Sequence, residues 1–334
     1  MSAQVSIITP SFRQLAWLRL CAASVADQRG VEVEHIVQDA GTGEELESWA
    51  RTQPDLRLVV EKDAGMYDAI NRGLTRAGGD ICAYLNCDEQ YLPGTLKRVV
   101  HYFSAHPEID VLFGDAILTN ENGDPLSYRR VIHPTLLHTR LVHLNTLSCA
   151  TFFRRSVVER GFQFDPSFRA IGDAVWVHRM LATHVPMGTL REPLAIFTFT
   201  GANLGADAKS QTEADRWRKG ETVLTRSLTP AIIVKHRFKK FLAGAYASRT
   251  GEISIYTRQS TEKRVTFSFS RLSYDWPTTI SASPASAAQP KTSPLPATAR
   301  VAAVFTTFNR CKTALTCLKK LQSQTVKPLS LIHI

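Results

Sequence analysis

The first 120 or so residues alternate short apolar runs with segments of helical periodicity, and this alternation limits the folds open to the chain. Residues 5–9 form a β-branched run, and residues 15–26 carry apolar side chains at helical spacing. Residues 66–74 repeat the helical pattern, and residues 81–85 form another apolar run. The alternation predicts an α/β fold with a mostly parallel central sheet flanked by helices. In such sheets ligands bind beyond the carboxyl ends of the strands, so functional side chains are expected there.

Composition narrows the class of protein. With 334 residues, of which 44% are hydrophobic and 21% charged, the chain resembles an ordinary soluble globular protein. Its start lacks the basic stretch typical of a signal peptide, and no apolar run approaches the ~20 residues of a membrane span. The six cysteines form no CxxC pair, which predicts reduced thiols in a cytoplasmic protein. The net charge of +10 predicts attraction to polyanions, leaving nucleic acid, acidic lipids and sugar diphosphates open.

Acidic residues follow three successive predicted strands. Asp39 follows the second strand, Asp63 the third, and Asp88 with Glu89 the fourth. Carboxylate oxygens bind Mg²⁺ or Mn²⁺, which can neutralise the diphosphate that leaves a nucleotide sugar. A single Asp after a strand is more often a turn or capping residue. Three such strand ends in order favour a binding site.

Three stretches resemble the opening of glycosyltransferase family 2, which has the GT-A fold. They are VSIITPSFRQ, HIVQDAGTGE and EKDAGMYDAINRGLTRAGGDICAYLNCDE, and the likeness is greatest to the branch of bacterial surface-polysaccharide biosynthesis. The resemblance implies a GT-A nucleotide-diphospho-sugar transferase fold with a C-terminal extension. It also implies an inverting enzyme that moves a sugar from a nucleotide-diphosphate donor to a hydroxyl of a glycan or lipid-linked acceptor.

The same resemblance implies roles for individual residues. Asp39 is expected to contact the nucleobase, Asp63 to lie near the nucleotide, and Asp88 to be the metal-binding acid of a degenerate DxD motif. Asn86 replaces the first acid of that motif, and Glu89 stands where a second Asp is common; both keep oxygen ligands. Asp88 and Glu89 are therefore the predicted ligands of Mn²⁺ or Mg²⁺. The other residues predicted to bind the nucleotide sugar are Thr9, Pro10 and Asn71.

The segment SCATFFRRSVVERGFQFDPSFRAIGDAVWVHRML resembles the acceptor side of the family, and its helix-opening acid matches Asp173. The family's chemistry needs a base that takes the proton of the acceptor hydroxyl as that oxygen attacks the anomeric carbon. Asp173 is the predicted base. The residues alone leave a second interpretation open, in which Asp173 only caps the helix at 174–181 and is weakened as a base by backbone N–H groups.

The rest of the chain predicts further segments. Residues 1–225 are the predicted glycosyltransferase domain, and residues 226–276 a basic helical and β-like extension. Residues 277–299 are rich in Pro, Ala and Ser, as in a linker. Residues 300–334 repeat the strand, polar turn, helix and strand of the opening, which predicts the truncated start of a second similar module. The basic amphipathic stretch at 229–246 predicts either peripheral contact with an anionic membrane or a helix packed on the domain.

Other classes of protein fit less well. A nicotinamide-binding Rossmann enzyme would carry GxGxxG after its first strand, where this chain has TPSFR, and no nucleic-acid-binding motif is present, so no nucleic-acid partner is predicted. The main alternative is a non-catalytic sugar-nucleotide- or glycan-binding module of a tandem glycosyltransferase. The departures from the DxD motif at Asn86 and Glu89 support this alternative. His133, His138 and His143 recur every five residues, which matches neither a helix face nor a strand face and predicts structural histidines.

Overall fold

A nine-stranded sheet with helices packed against it forms the centre of the computed structural model, which describes residues 4–200 and 208–277. The predicted second module and all but the first residue of the predicted linker lie outside the described residues. All described residues belong to one compact unit, Met1–Ala282. They include the predicted extension at 226–276.

The strands and helices follow the predicted alternation in the first half of the chain and continue beyond it. The strands are β1 (Val5–Ser11), β2 (Val33–Asp39), β3 (Leu56–Val60), β4 (Ile81–Tyr84), β5 (Glu89–Tyr91), β6 (Val111–Asn120), β7 (Pro125–Arg129), β8 (Thr151–Arg154), β9 (Met187–Phe199), β10 (Arg249–Thr257) and β11 (Ser260–Leu272). The helices are α1 (Leu15–Ala26), α2 (Glu44–Ala50), α3 (Met66–Arg76), α4 (Thr95–Ala105), α5 (Leu136–Leu141), α6 (Arg155–Glu159), α7 (Gly172–Ala182), α8 (Ala208–Arg218), α9 (Val223–Ser227) and α10 (Thr229–Leu242).

The sheet is parallel in its first half and mixed in its second. Its order is β3-β2-β1-β4-β8-β6-β9-β5, with β7 paired to the far end of β6. The first four strands in this order run parallel, as predicted. β8 is antiparallel to both β4 and β6. β7 is antiparallel to β6 because a tight turn at Asn122-Gly123 joins them, with Gly123 at φ +94°.

Side chains of β1 alternate between two apolar cores, one on each face of the sheet. Ile7 packs with α1 and α4, whereas Ile8 packs with α3 and α7. Gly73 lets α3 lie close to β1, because a Cβ at this position would come within 2.5 Å of the Ile8 side chain. The four cysteines among the described residues are free and buried, as predicted for reduced thiols.

The hairpin β10–β11 packs on the sheet. Ile253, Ile255 and Leu272 share a buried cluster with side chains that follow β5 or belong to β6 and β9. The Gln90 side chain exchanges two 2.9 Å hydrogen bonds with the Tyr256 backbone. Burial of these apolar groups ties the predicted extension to the central sheet. No helix among the described residues combines the length and the apolar character needed to cross a bilayer.

Candidate active site

A cavity of about 1260 Å³ opens at the carboxyl ends of β1 and β4. Among the predicted site residues, Pro10, Asp63, Asp88 and Asp173 line it. The sheet edge therefore brings together residues that are far apart in the chain, as the rule for open α/β sheets predicts. The predicted residues Thr9, Asp39, Asn71 and Glu89 are not among those that line the cavity.

The loop after β4 carries two acids into different surroundings. Asp88 is half-buried on the cavity wall, and burial raises the pKa of its carboxyl to about 6. Glu89 is only 1% exposed; its carboxylate accepts hydrogen bonds from the Asn86 N–H at 2.8 Å and the Ser148 hydroxyl at 2.7 Å. Burial, and then the neighbouring Asp88, raise the pKa of Glu89 to about 8. At neutral pH Glu89 without a bound ion is thus mostly protonated, and its hydrogen bonds fold the loop back on itself. Its role as a metal ligand stays a prediction.

The donor set at this loop fits a cation that takes most of its ligands from elsewhere. The Asn86 Oδ1 atom is buried and has no hydrogen-bond partner among the described residues. Together with Asp88 it offers two hard oxygen ligands. The described residues contain no group of three or more acidic, histidine or cysteine side chains that could hold a metal ion. Mg²⁺ commonly keeps several waters and binds through one or two carboxylates plus substrate phosphates, which these two residues match.

Asp173 lines the same cavity from the first turn of α7. The helix begins at Gly172 with Ile171 as its N-cap, so Asp173 is inside the helix rather than its capping residue. Its Oδ1 atom accepts hydrogen bonds from the Ala174 N–H at 2.8 Å and the Tyr67 hydroxyl at 3.4 Å. Burial outweighs these hydrogen bonds and raises the pKa of Asp173 to about 6. A carboxylate of this basicity remains ionised at neutral pH and can take up a proton.

Asp63 begins the turn into α3 and shares the wall with an arginine that sequence reasoning missed. The Asp63 Oδ1 atom accepts the Gly65 N–H at 2.8 Å, and burial raises the pKa of this carboxyl. Gly65 adopts φ +125°, and a Cβ there would lie 1.9 Å from Arg169 Nη1. The glycine thus gives room to the Arg169 guanidinium, which also lines the cavity. No local pattern marks Arg169, because a loop without periodicity positions it.

Asp39 is fully buried and closes the turn that follows β2. One carboxylate oxygen accepts the N–H groups of Gly41 and Thr42, at 2.9 and 2.6 Å, and the other accepts the Thr42 hydroxyl at 2.6 Å. These hydrogen bonds engage both oxygens with the turn. Contact between Asp39 and a nucleobase stays a prediction, since the structure uses the side chain to shape the loop.

Thr9 and Asn71 also make contacts that hold the scaffold. The buried Thr9 hydroxyl is 2.9 Å from His35 Nε2. The Asn71 amide donates to the Phe164 carbonyl at 2.8 Å and accepts the Phe164 N–H at 2.9 Å, which clamps α3 to the segment before α7. Both residues therefore stabilise elements that carry cavity-lining residues without lining the cavity themselves. Their predicted contact with the nucleotide sugar remains untested.

Comparison with known proteins relates the chain to a family. The model of "Glycosyl transferase family 2" matches residues 6–162, which contain most of β1, all of β2 to β8 and the acids at the strand ends. Over this segment the chain is similar to glycosyltransferase family 2. A "PGL/p-HBAD biosynthesis glycosyltransferase" of Mycobacterium bovis is 34% identical over 123 residues, covering 35% of this chain and 48% of that relative. An uncharacterized glycosyltransferase of Nostoc sp. is 22% identical and covers 82% of this chain and 89% of that relative.

The likeness to known proteins covers different shares of their length. The chain aligns with about half the length of the mycobacterial relative. Among solved structures, S. aureus TarS 1-349 in complex with UDP-GlcNAc matches with a TM-score of 0.53 at 19% identity, covering 74% of this chain and 76% of TarS. The mannosyltransferase PcManGT from Pyrobaculum calidifontis, in complex with GDP-Man and Mn²⁺, matches with a TM-score of 0.50 at 18% identity, covering 75% of this chain and 77% of that one. The chain has the GT-A fold.

The cavity continues beyond the segment that matches glycosyltransferase family 2. Arg218 from α8, Lys240 from α10 and Trp276 after β11 line the same cavity as Asp88 and Asp173. The Trp276 ring packs edge-on against Phe199, with ring centroids 5.2 Å apart. The sequence analysis placed Arg218 in the predicted domain 1–225 and Lys240 and Trp276 in the predicted extension, and it assigned none of them to the site. Only the tertiary packing of α10 and the hairpin brings it to the cavity.

Proposed function

We propose that this chain is an inverting glycosyltransferase that transfers a sugar from a nucleotide-diphosphate donor to a hydroxyl of a glycan or lipid-linked acceptor in polysaccharide biosynthesis. One observation carries the proposal: Asp88 and Asp173 line a single cavity, each with a pKa raised to about 6. The name of one relative, a PGL/p-HBAD biosynthesis glycosyltransferase, supports a role in glycan biosynthesis. The UDP-GlcNAc and GDP-Man complexes of the structural neighbours support the class of donor.

Asp173 is the general base in this proposal. Its Oδ1 atom is held by Tyr67 and the Ala174 N–H, and its Oδ2 atom accepts no hydrogen bond from the described residues, so Oδ2 takes the proton. The acceptor oxygen then attacks the anomeric carbon, and the bond to the diphosphate breaks on the opposite face with its electron pair. One displacement of this kind inverts the configuration of the sugar. A positioned carboxylate contributes on the order of 10²–10⁴-fold to such a step.

Asp88 and Asn86 are the residues that would hold Mn²⁺ or Mg²⁺ on the donor side. When bound, the ion supplies positive charge next to the departing diphosphate. Lys62 and Arg169 line the same cavity and add fixed positive charge to it. Glu89 serves this proposal by fixing the loop through Asn86 and Ser148 rather than by contacting the ion.

The proposal is tested by assaying transfer and hydrolysis of UDP-, GDP- and dTDP-sugars, with and without Mn²⁺. Asp173→Asn should lower turnover 10²–10⁴-fold with donor affinity and melting temperature close to wild type. Asp88→Ala should abolish turnover and the Mn²⁺-dependent rise in melting temperature. Asp80→Asn, on an exposed residue outside the cavity, is the matched control and should behave as wild type.

Two results would contradict the proposal. A product that retains the donor's configuration would exclude a single displacement with Asp173 as base. Nucleotide binding without transfer or hydrolysis of any of these donors would instead favour the non-catalytic binding module.

The proposal extends to a peripheral position on the inner face of an anionic membrane, with α9 and α10 as the contact. Val223, Leu224, Val234, Phe238 and Phe241 are between 59% and 85% exposed on these helices. Residues 222–251 contain no Asp or Glu but six Lys or Arg. An exposed apolar stripe within a basic stretch matches the apolar and anionic layers of a bilayer surface.

Co-sedimentation with vesicles tests this contact. The chain should bind vesicles of phosphatidylglycerol more strongly than vesicles of phosphatidylcholine, and Phe238→Ser with Phe241→Ser should remove the difference. Val60→Ser, an exposed apolar residue on β3, should leave binding unchanged. Equal binding to both vesicles, or self-association through this face, would contradict the membrane contact.

A further inference from the structure

Three cations from elements outside the Asn86–Asp88 loop line the cavity. Arg129 ends β7, Arg218 ends α8, and Lys240 lies on α10. All three side chains are half-buried. The pKa of His143, which lies in the same wall, is lowered to about 4 by burial first and then by His138, Lys240, Arg129 and Arg218. Three cations therefore converge on one part of the cavity.

These charges are met by carbonyl groups and aromatic rings. Arg129 donates to the Tyr274 carbonyl at 2.5 Å and lies over the Trp276 ring, 5.3 Å from its centroid. The Lys240 ammonium lies 5.3 Å from the centroid of the Tyr274 ring. Of the three cations, Arg218 forms an ion pair with Asp215 at 3.4 Å. Burial lowers the pKa of Arg129 and Lys240, and Arg129 lowers that of Lys240 further, while Asp275 in the same cavity lining opposes the shift in both.

A second, independent observation points to a ligand in the same cavity. The Thr139 and Thr146 side chains line the cavity, are 1% and 6% exposed, and have hydroxyls without a partner among the described residues. The Arg218 Nε atom is likewise buried without a partner there. Buried polar groups are nearly always hydrogen-bonded, and a hydroxyl can turn to donate. Two unsatisfied hydroxyls and three cations that line one cavity form a donor set suited to an oxyanion.

We propose that Arg129, Arg218 and Lys240, with Thr139 and Thr146, form a subsite for a phosphate group of the acceptor. The inference rests on the proposed function, because it assigns the donor diphosphate to the Asp88 side and leaves this part of the cavity for the acceptor. The cavity volume of about 1260 Å³ supports two ligands, since a pocket for one drug-sized molecule takes roughly 300–1,000 Å³. Planar guanidinium groups and an ammonium beside them are the usual partners of phosphate oxygens.

The two sides of α10 carry different kinds of side chain. Its outer side carries the exposed Val234, Phe238 and Phe241, and Lys240 on the same helix reaches the cavity. A phosphate attached to a lipid in the membrane and a phosphate on a soluble glycan share the chemistry that this site recognises. The phosphate group is the recognised feature in both.

Binding of inorganic phosphate and of glucose 1-phosphate, measured calorimetrically on the full chain, tests the subsite without relying on turnover. Lys240→Gln and Thr146→Val should each weaken phosphate binding about tenfold or more, and Lys240→Arg should restore most of it. UDP affinity in the presence of Mn²⁺ should stay within about twofold of wild type in these variants. Lys219→Gln, an exposed lysine next to the end of α8 that does not line the cavity, is the matched control and should change nothing.

The outcomes separate the possible sources of the anion. Phosphate binding that survives Asp88→Ala and does not compete with UDP supports an acceptor subsite. Competition with UDP, or loss of phosphate binding in Asp88→Ala, would assign the cations to the donor diphosphate and overturn the proposal, as would unchanged phosphate affinity in Lys240→Gln. Phosphatidylcholine vesicles that contain polyprenyl phosphate distinguish a lipid-linked source from glucose 1-phosphate. Should the chain prove inactive, these binding results still decide the subsite, so its failure and that of the proposed function are distinguishable.

Discussion

Replacing Glu89 with glutamine separates a buried structural acid from a metal ligand. In the wild-type protein the carboxyl is 1% exposed, and burial followed by Asp88 raises its pKa from 4.5 to about 8. The unfolded chain releases this proton near pH 4.5, whereas the folded protein retains it up to about pH 8. The free energy of unfolding therefore falls as pH rises from 4.5 to 8. Above pH 8 the carboxyl is ionised in both states, and Glu89 lowers the free energy of unfolding no further.

The size of the effect follows from the shift in pKa. The difference between 8 and 4.5 is about 3.5 units, which at 1.36 kcal/mol per unit gives on the order of 5 kcal/mol. Glutamine keeps the shape of the side chain, can accept the Asn86 N–H and has no proton to lose. We expect the stability of Glu89→Gln relative to wild type to increase steadily between pH 4.5 and 8, and then to level off.

Chemical denaturation of both proteins at pH 5, 6.5, 8 and 9 measures this difference directly. Glu262→Gln, on an exposed residue of β11, is the control and should differ from wild type equally at every pH. The Mn²⁺-dependent rise in melting temperature should survive Glu89→Gln. A stability difference that does not depend on pH, or loss of the Mn²⁺ effect, would mean that Glu89 is ionised in the folded protein and contacts the ion.

Further predictions concern the base, the scaffold, the hairpin and the tail. Turnover should fall about tenfold per pH unit below about pH 6 as Asp173 is protonated, which a pH profile of kcat at saturating donor will check. Asn71→Ala should cost about 1–3 kcal/mol of stability by leaving the Phe164 backbone unpaired, with turnover per folded molecule unchanged; denaturant titration beside activity assays will measure both. Ile255→Ala should cost about 2–5 kcal/mol in the same titration, because it opens a cavity in the cluster between hairpin and sheet. Removing residues 300–334, which lack counterparts of the acids at the strand ends, should leave turnover unchanged in the same assays.

Periodicity was sufficient to predict the first half of the fold, because each strand and helix there buries a face that its own residues define. Ile7 and Ile8 illustrate this, since adjacent residues enter opposite cores. The mixed order of the later strands was not predictable in the same way. β8 pairs with β4 and β6 through contacts between distant segments, and no local pattern encodes a partner strand. The docking of the hairpin on the buried cluster has the same origin.

The candidate site shows where residue type stops being informative. An Asp after a strand suits a ligand and a turn equally well, and the two uses differ only in which groups surround the carboxylate. Asp39 meets three donors within its own turn, whereas Asp63 meets one and lies on the cavity wall. Thr139 and Thr146 carry no sequence signal for a ligand. Their hydroxyls point to a ligand only in combination with Arg129, Arg218 and Lys240, which come from other elements.

Glu89, Asp88 and Asp173 differ in how deeply they are buried, and this difference gives their carboxyl groups different pKa values. Glu89 is enclosed so completely that its proton stays bound to about pH 8, which removes it from ionic chemistry at neutral pH. Asp88 and Asp173 are half-buried and titrate near pH 6, so both are ionised at pH 7 while remaining more basic than an exposed Asp. A carboxylate of that kind can take a proton from a hydroxyl or attract a cation, and position decides which. Asp173 lines the cavity from α7, whereas Asp88 shares its loop with the unsatisfied Asn86 oxygen. In the proposed function, proton transfer therefore falls to the helix and charge neutralisation to the loop.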